Sequence, residues 1–182
     1  MPLIRAASIA DVQAIARIDI ETWRATYAGI LPDSVLVDMS TRQRSAFWSR
    51  FVAMHPGNLL VAVDPRNQVL GFGSCGVQRG ACLPDAGEIF SIYVEPDQQG
   101  QGIGRQLLLS LFFRLVQSGH TACVLWVLDR NPSRFFYERL GGRIIARQTM
   151  SYAGRKVDAH AYAWADLPET LSSRGRTKSP TG

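Results

Sequence analysis

A glycine-rich loop in the middle of the chain separates an apolar segment from an amphipathic one. Residues 99–104 read Gln-Gly-Gln-Gly-Ile-Gly, so glycine stands at alternate positions. Glycine lets the backbone turn sharply, and successive amides can then point into one concavity. The unpaired amides and positive dipole end of a following helix add to the attraction for an anion. With Arg105 next in sequence, this strand-loop-helix segment predicts a site for a phosphate-bearing ligand.

Three classes of ligand use loops of this kind, and the spacing separates two of them from this sequence. A nucleoside triphosphate loop places Lys and then Ser or Thr after its last glycine, whereas Arg105-Gln106 stands here. A dinucleotide fingerprint needs a third glycine where this chain has Arg105 or Leu107, depending on the starting glycine. Asp129 lies where a ribose-binding acid would lie, but a dinucleotide fold requires several parallel βαβ units. The third class, coenzyme A, stays open.

The periodicity of apolar residues predicts the elements around the loop. Ser8 and Asp11 have the spacing of a capping box, which begins a helix that runs to about Thr22 or beyond. The elements predicted after it are a helical region over 33–52, strands over 59–63, 69–77 and 88–94, the helix after the loop, a buried strand over 121–128, a short helix after Asn131-Pro132, and strands over 143–150 and 157–164. This order predicts a mixed α/β fold with one right-handed crossover, between the strand before the loop and the strand after its helix.

Length and charge limit the organisation and the partners. A chain of 182 residues fits one domain, which we place at 1–167, and the polar sequence from Pro168 onward predicts a flexible tail over 168–182. The net charge of +5 is concentrated partly in that tail, so we expect no nucleic-acid partner. No apolar stretch reaches the roughly 20 residues of a membrane span, and no export signal is visible. We therefore expect no membrane partner and a cytoplasmic location.

Cysteine and histidine give no sign of a metal centre. Cys75, Cys82 and Cys123 are far apart and lack the paired spacing of zinc ligands. The three histidines show no metal-ligand spacing either. We therefore expect no metal, free thiols, and a core position for Cys123, which lies in an apolar run.

Two motifs resemble the GNAT superfamily of N-acetyltransferases. Gln99, Gly102 and Gly104 fit its signature of Gln or Arg, two residues, Gly, one residue, and Gly or Ala. Residues 92–96, Ile-Tyr-Val-Glu-Pro, and residues 131–141, Asn-Pro-Ser-Arg-Phe-Phe-Tyr-Glu-Arg-Leu-Gly, are also similar to that family. The resemblance is strongest over 88–142. It implies a GNAT-like fold with a mostly antiparallel central sheet flanked by helices, and acetyl-CoA as the co-substrate without a metal.

The resemblance also implies which residues hold coenzyme A. The backbone of Ile92, Tyr93 and Val94 would pair with the peptide-like pantetheine arm as an added strand does. The amides of the loop would hold the pyrophosphate, and Gln99 would sit at its entrance; the residues concerned are Gly100, Gln101, Gly102, Ile103, Gly104 and Arg105. Arg130 and Arg134 are further cations for the outer phosphates. Asn131, which precedes a proline and is a well-formed N-cap, would also contact the cofactor arm.

Acyl transfer to an amine requires a base for the ammonium and an acid for the leaving thiolate. Tyr137 matches the family position that protonates the thiolate, and a phenol with a pKa of about 10 keeps its proton at neutral pH. Glu88 matches a position where many relatives place a base that acts through water.

The acceptor is less constrained by the sequence. Trp23, Tyr27 and Trp48 lie on the N-terminal helices, which in relatives form the floor of the acceptor site, although core packing is the favoured explanation for them. A small-molecule amine and a peptide amine both fit, and relatives that pair through their C-terminal strands imply a homodimer as one possibility. Two alternatives also stay open: a non-catalytic module that senses acyl-CoA, and transfer of a longer acyl group.

Overall fold

A computed structural model describes residues 2–80 and 82–175, with side chains to residue 173. Its centre is a seven-stranded sheet in the order β1-β2-β3-β4-β5-β7-β6. The strands are β1 (Leu3–Ala6), β2 (Leu59–Val63), β3 (Val69–Val77), β4 (Ala86–Val94), β5 (Ala122–Leu128), β6 (Arg143–Tyr152) and β7 (Arg155–Trp164). The helices are α1 (Val12–Tyr27), α2 (Asp33–Val37), α3 (Thr41–Met54), α4 (Ile103–Gln117), α5 (Arg134–Arg139) and α6 (Leu167–Gly175). The predicted mixed, mostly antiparallel fold with one parallel pair is confirmed.

Alternation along the strands divides the core between the two faces of the sheet. On β2, Leu59 and Val61 pack with α1 and α3, whereas Leu60 and Ala62 pack with α4. Successive side chains of a strand point to opposite faces, so one apolar strand can serve both layers. A third cluster joins the end of α1 and α2 to β5, β6 and β7. Different parts of the chain therefore cover the two faces of the sheet.

Strands β4 and β5 separate part way along their length. Their parallel pairing covers only Ala86–Glu88 against Ala122–Val124. The register of β4 against β3 shifts beside Cys75, and Phe90 has no partner there. A bulge of this kind bends the strand and increases its twist. Beyond Glu88 the edge of β4 that faces β5 is consequently unpaired, and a cleft opens between the two strands.

Three local predictions need correction. The helical region predicted over 33–52 is two helices, because Ser40 accepts a hydrogen bond from the Gln43 amide and begins α3 anew. Strand β1 was not predicted, because its four residues give little periodic signal. Residues 167–175 form α6 where a flexible tail was predicted from Pro168, because Leu167 and Leu171 pack on the α4 side of the core. The remainder of that tail lies outside the described residues.

The predicted helix start at Ser8 is confirmed, with Arg5 as an added partner. The Asp11 carboxylate accepts a hydrogen bond from the Ser8 amide at 2.7 Å. Arg5, at the end of β1, donates two further hydrogen bonds of 2.8 Å to the same carboxylate. The arrangement fixes the first strand to the start of α1. Among the helices described, none is long and apolar enough to span a bilayer.

Candidate active site

The cleft between β4 and β5 has a volume of about 530 Å³. Its walls come from α1, the free part of β4, the glycine loop, β5 and the segment that leads into α5. These elements are distant in sequence, and the opening of the sheet brings them together. The glycine loop and Tyr137 both line the cleft.

The glycine loop has the conformation that the sequence predicted. Gly100 and Gly102 have φ angles of 76° and 82°, which lie in the left-handed region that glycine enters without strain. Gly102 is the N-cap of α4, a helix of 15 residues. A Cβ atom at either glycine would meet nothing within 4 Å, so both positions border open space. The loop thus presents helix N-terminal amides to the cleft, as a pyrophosphate site requires.

The side chains around the glycine loop differ in whether they line the cleft. Gln99 donates a hydrogen bond of 3.1 Å to the Val94 carbonyl and so ties the loop to the end of β4. Gly104 and Arg105 line the cleft, and the buried Ile103 anchors the helix start. The Gln101 side chain is exposed beside Gln98 and does not line the cleft. The contribution of Gln101 is therefore limited to its backbone.

Ile92, Tyr93 and Val94 all line the cleft from β4. Ile92 and Val94 pack with α4, whereas the Tyr93 ring lies on the α1 side and its hydroxyl accepts a hydrogen bond of 2.9 Å from the Trp23 indole. Because β5 does not pair with this part of β4, the backbone edge is free for an extended ligand. A pantetheine arm has the amide groups to pair with such an edge.

Asn131 lines the cleft and is held by two hydrogen bonds. Its Oδ1 accepts from the Ser133 amide at 2.8 Å, and its Nδ2 donates to the Tyr27 hydroxyl at 3.3 Å. The prediction of Asn131 as the N-cap of this helix is wrong, because α5 begins at Arg134 with Ser133 as its N-cap, and the Asn131 side chain instead stabilises the turn before it. The Asn131 side chain also joins this turn to α1. Sequence reasoning did not predict that second contact.

The two outer arginines do not line the cleft. Arg134 donates to the Asp129 carboxylate at 3.1 Å and lies over the Phe135 ring. Arg130 is exposed and donates to the Gly29 carbonyl at 3.5 Å. Arg105 and Arg139 are the cations of the cleft lining within the described chain. A phosphate role for Arg134 would require its side chain to leave Asp129.

Tyr137 lines the cleft from α5 and is 8% exposed. Its ring packs against Phe136 and Trp164. Burial raises the pKa of the phenol above its ordinary value, and nearby Tyr27 raises it further. Tyr137 therefore carries its proton at neutral pH, as a general acid must.

Glu88 lies at the end of the paired part of β4, outside the cleft lining. Its carboxylate, 1% exposed, accepts hydrogen bonds from the Arg79 amide at 2.7 Å and from the guanidinium at 2.5 and 3.1 Å. The expected base therefore does not face the cleft, and no carboxylate or imidazole lines the cleft among the residues described.

The α1 wall of the cleft carries polar groups that sequence reasoning did not select. Thr22, Thr26 and Tyr27 all line it, and Thr22 Oγ1 is buried without a hydrogen-bond partner in the described structure. Polar residues at helical spacing within an otherwise apolar face were the available signal. Trp48, by contrast, is a core residue whose indole donates to Asp19 at 2.9 Å. Over the described ranges, no cluster of three or more potential metal ligands occurs.

A split sheet with a glycine loop and a helix N-terminus at its opening is an arrangement typical of an acyltransferase. The profile of the Acetyltransferase (GNAT) family matches residues 17–142. The chain belongs to this family and is an acyltransferase enzyme. The predicted family and enzyme class are confirmed.

Three similar proteins illustrate the range of the family. The uncharacterised N-acetyltransferase YuaI of Bacillus subtilis is 30% identical over 96% of this chain and 100% of its own. The L-methionine sulfoximine/L-methionine sulfone acetyltransferase of Pseudomonas aeruginosa is 31% identical over 90% of both chains. The PaiA N-acetyltransferase of Thermoplasma acidophilum, solved with coenzyme A, superposes with a TM-score of 0.66 over 88% of this chain and 98% of its own, at 21% identity. This last likeness supports the fold.

Proposed function

We propose that the protein transfers an acetyl group from acetyl-CoA to the primary amine of a small molecule by direct attack. The observation that carries the proposal is the cleft itself, which joins the anion-binding end of α4, the free edge of β4 and the Tyr137 phenol in one space. Coenzyme A has a pyrophosphate, an amide-bearing arm and a thiol that match these three features in order. The residues present therefore fit the co-substrate.

The roles of the residues follow from their chemistry. The amides of the loop and of the first turn of α4 hold the pyrophosphate, and the edge of β4 aligns the arm. Acetyl-CoA supplies an activated thioester carbon to the amine nitrogen. As the new C–N bond forms and the C–S bond breaks, Tyr137 donates its proton to the departing sulfur. The nitrogen of the adduct then releases its second proton, which returns through water to the Tyr137 phenolate, so that the products are the amide, the CoA thiol and the regenerated phenol. Burial keeps the phenol protonated, and it also disfavours a bare thiolate in the same space.

The amine must lose a proton before it attacks. Because no carboxylate or imidazole lines the described cleft, we propose that the neutral amine enters directly or that water takes up the proton. Glu88 has a structural role in this scheme: it holds Arg79 at the end of β3. The rate should then rise with pH as the free amine fraction increases.

A small, amino-acid-like acceptor has the best support. The Pseudomonas aeruginosa relative, which matches 90% of this chain, acts on methionine derivatives. On the side of the sheet covered by α1 and α2, Trp23, Trp126 and Tyr152 form an aromatic surface. Arg44 lies over the Trp23 ring at 5.4 Å and also pairs with the buried Asp19 carboxylate at 3.5 Å. Such a surface suits a short apolar side chain.

The experiment is thiol release from acetyl-CoA across a panel of amines. The panel includes L-methionine sulfone, L-methionine sulfoximine and a peptide with an N-terminal alanine, and propionyl-CoA replaces acetyl-CoA in a parallel series. We expect turnover with a small amine, and a lower kcat for Tyr137→Phe with little change in acetyl-CoA affinity. Binding of acetyl-CoA without thiol release from any amine would instead support a sensing module. An unchanged kcat in Tyr137→Phe would remove the phenol from the mechanism.

A further inference from the structure

Two phenols in the cleft, Tyr27 and Tyr93, each accept a hydrogen bond from a group that can only donate. The Trp23 indole N–H donates to the Tyr93 hydroxyl at 2.9 Å, and the Asn131 amide nitrogen donates to the Tyr27 hydroxyl at 3.3 Å. The orientation of the Asn131 amide is fixed, because its oxygen accepts from the Ser133 backbone. Each hydroxyl oxygen thus accepts one hydrogen bond from the protein.

The two hydroxyls lie near each other, since Tyr93 lowers the pKa of Tyr27 as a hydrogen-bond partner does, and no further acceptor of the two phenolic protons is found in the part of the chain that the structure describes. Tyr27 is 8% exposed and Tyr93 half-buried, and both line the cleft. A hydroxyl that accepts one hydrogen bond still has a proton to donate, and leaving that donor unpaired in a buried place is costly. A ligand acceptor atom that enters between the two hydroxyls can therefore take a hydrogen bond from each of them.

Neither phenol can act as a base at neutral pH. Burial is the largest cause that raises the pKa of Tyr27, to about 12, and it raises the pKa of Tyr93 well above the ordinary value. Both groups keep their protons, so their function is to donate a hydrogen bond. The buried Thr22 hydroxyl on the α1 wall of the cleft is a further polar group without a hydrogen-bond partner in the described structure.

We propose that the hydroxyls of Tyr27 and Tyr93 donate hydrogen bonds to the carbonyl oxygen of the bound acyl thioester. This inference rests on the proposed function, which places the sulfur beside Tyr137 in the same cleft. As the amine nitrogen bonds to the carbonyl carbon, the electron pair of the C=O double bond moves to that oxygen. The two phenols then face the negative charge that develops before the C–S bond breaks, which is the charge that catalysis must stabilise. Trp23 and Asn131 are positioning residues for them.

The test compares the binding of acetyl-CoA and CoA, because only acetyl-CoA carries the carbonyl oxygen. Calorimetry measures both affinities for the wild type, Tyr27→Phe and Tyr93→Phe. Tyr162→Phe is the matched control, because its hydroxyl donates to Glu138 away from the cleft. We expect each cleft variant to lose about two- to tenfold in acetyl-CoA affinity, the range for one hydrogen bond, while CoA affinity and the control stay unchanged. The carbonyl ¹³C resonance of labelled acetyl-CoA should also move upfield in each cleft variant, because a hydrogen bond to that oxygen is lost.

The outcomes separate this inference from the proposed function. If the variants bind acetyl-CoA and CoA with the wild-type ratio, the phenols do not contact the carbonyl and this inference fails alone. If the wild type binds neither ligand, the proposed function fails and this inference fails with it. If both affinities fall equally in a variant, the hydroxyl supports the cleft and not the carbonyl, which also overturns the proposal. With an active acceptor, kcat should fall about 10²-fold in each cleft variant, as for loss of one oxyanion donor.

Discussion

The glycine loop allows a matched pair of substitutions, Gly102→Ala and Gly104→Ala. Gly102 has φ 82° and ψ 0° as the N-cap of α4, and a Cβ there would meet nothing within 4 Å. The only penalty is therefore conformational, roughly 1–2 kcal/mol for an L-residue in the left-handed region. Gly104 lies inside α4, and its Cβ would touch the Phe136 ring at 3.5 Å, an ordinary contact distance. Alanine there should be neutral or stabilising by up to about 1 kcal/mol.

The cost at Gly102 can appear in either of two measurements. If the loop keeps its conformation, the free energy of unfolding falls by about 1–2 kcal/mol, which for a protein of this size lowers Tm by roughly 2–8 °C. If the loop relaxes instead, its amides turn away from the cleft, and acetyl-CoA must restore them on binding. The affinity then falls by about 5- to 30-fold for the same free energy. Gly104→Ala should show no loss in the free energy of unfolding and therefore no lower Tm.

Differential scanning fluorimetry and calorimetric titration with acetyl-CoA measure the two quantities on the same samples. We expect the losses in unfolding and binding free energy in Gly102→Ala to sum to about 1–2 kcal/mol, whichever assay reports them. Wild-type Tm and affinity in Gly102→Ala would refute the assignment of a strained anion-binding turn. Equal Tm losses in both variants would show that crowding, and not backbone conformation, governs the loop.

Three further predictions concern charge and pH. Hydrogen bonds from Arg5 lower the pKa of Asp11 from 3.8 to about 2, so its stabilising effect is present above pH 4 and disappears as the pH falls toward 2. Asp11→Asn should therefore lower the free energy of unfolding at pH 7 by about 1–3 kcal/mol, and equal urea midpoints would contradict this. Because the pKa of Tyr27 rises from 10.0 to about 12 on folding, stability should decline from pH 10 to 12 as the unfolded phenol ionises, and should decline less in Tyr27→Phe. Glu88→Gln should lower stability by about 1–3 kcal/mol yet leave the pH dependence of kcat unchanged, and a lost acidic limb would restore Glu88 as a base.

Much of the fold could be predicted because its signals are local. Helical spacing on α1 and α4, and the apolar runs of β2, β3 and β5, each lie within one element, so the sequence shows them directly. The errors occurred where tertiary contacts act on a weak local pattern. Strand β1 is ordered by pairing with β2, and α6 by packing of Leu167 on the core. Neither contact is visible in the segment itself.

The sequence alone determined the conformation of the glycine loop, since Gly100 and Gly102 before α4 adopt left-handed φ angles that glycine enters without strain. It also identified Tyr137 and Asn131 by their resemblance to a family motif. Only the tertiary structure decided what those side chains contact. Tyr93 meets Trp23 across 70 positions of the chain, and Asn131 meets Tyr27 across 104. Likewise, Glu88 is held by Arg79, which lies just after the neighbouring strand β3. A hydrogen bond depends on where two atoms lie in space, and that position follows from the packing of the whole sheet and its helices.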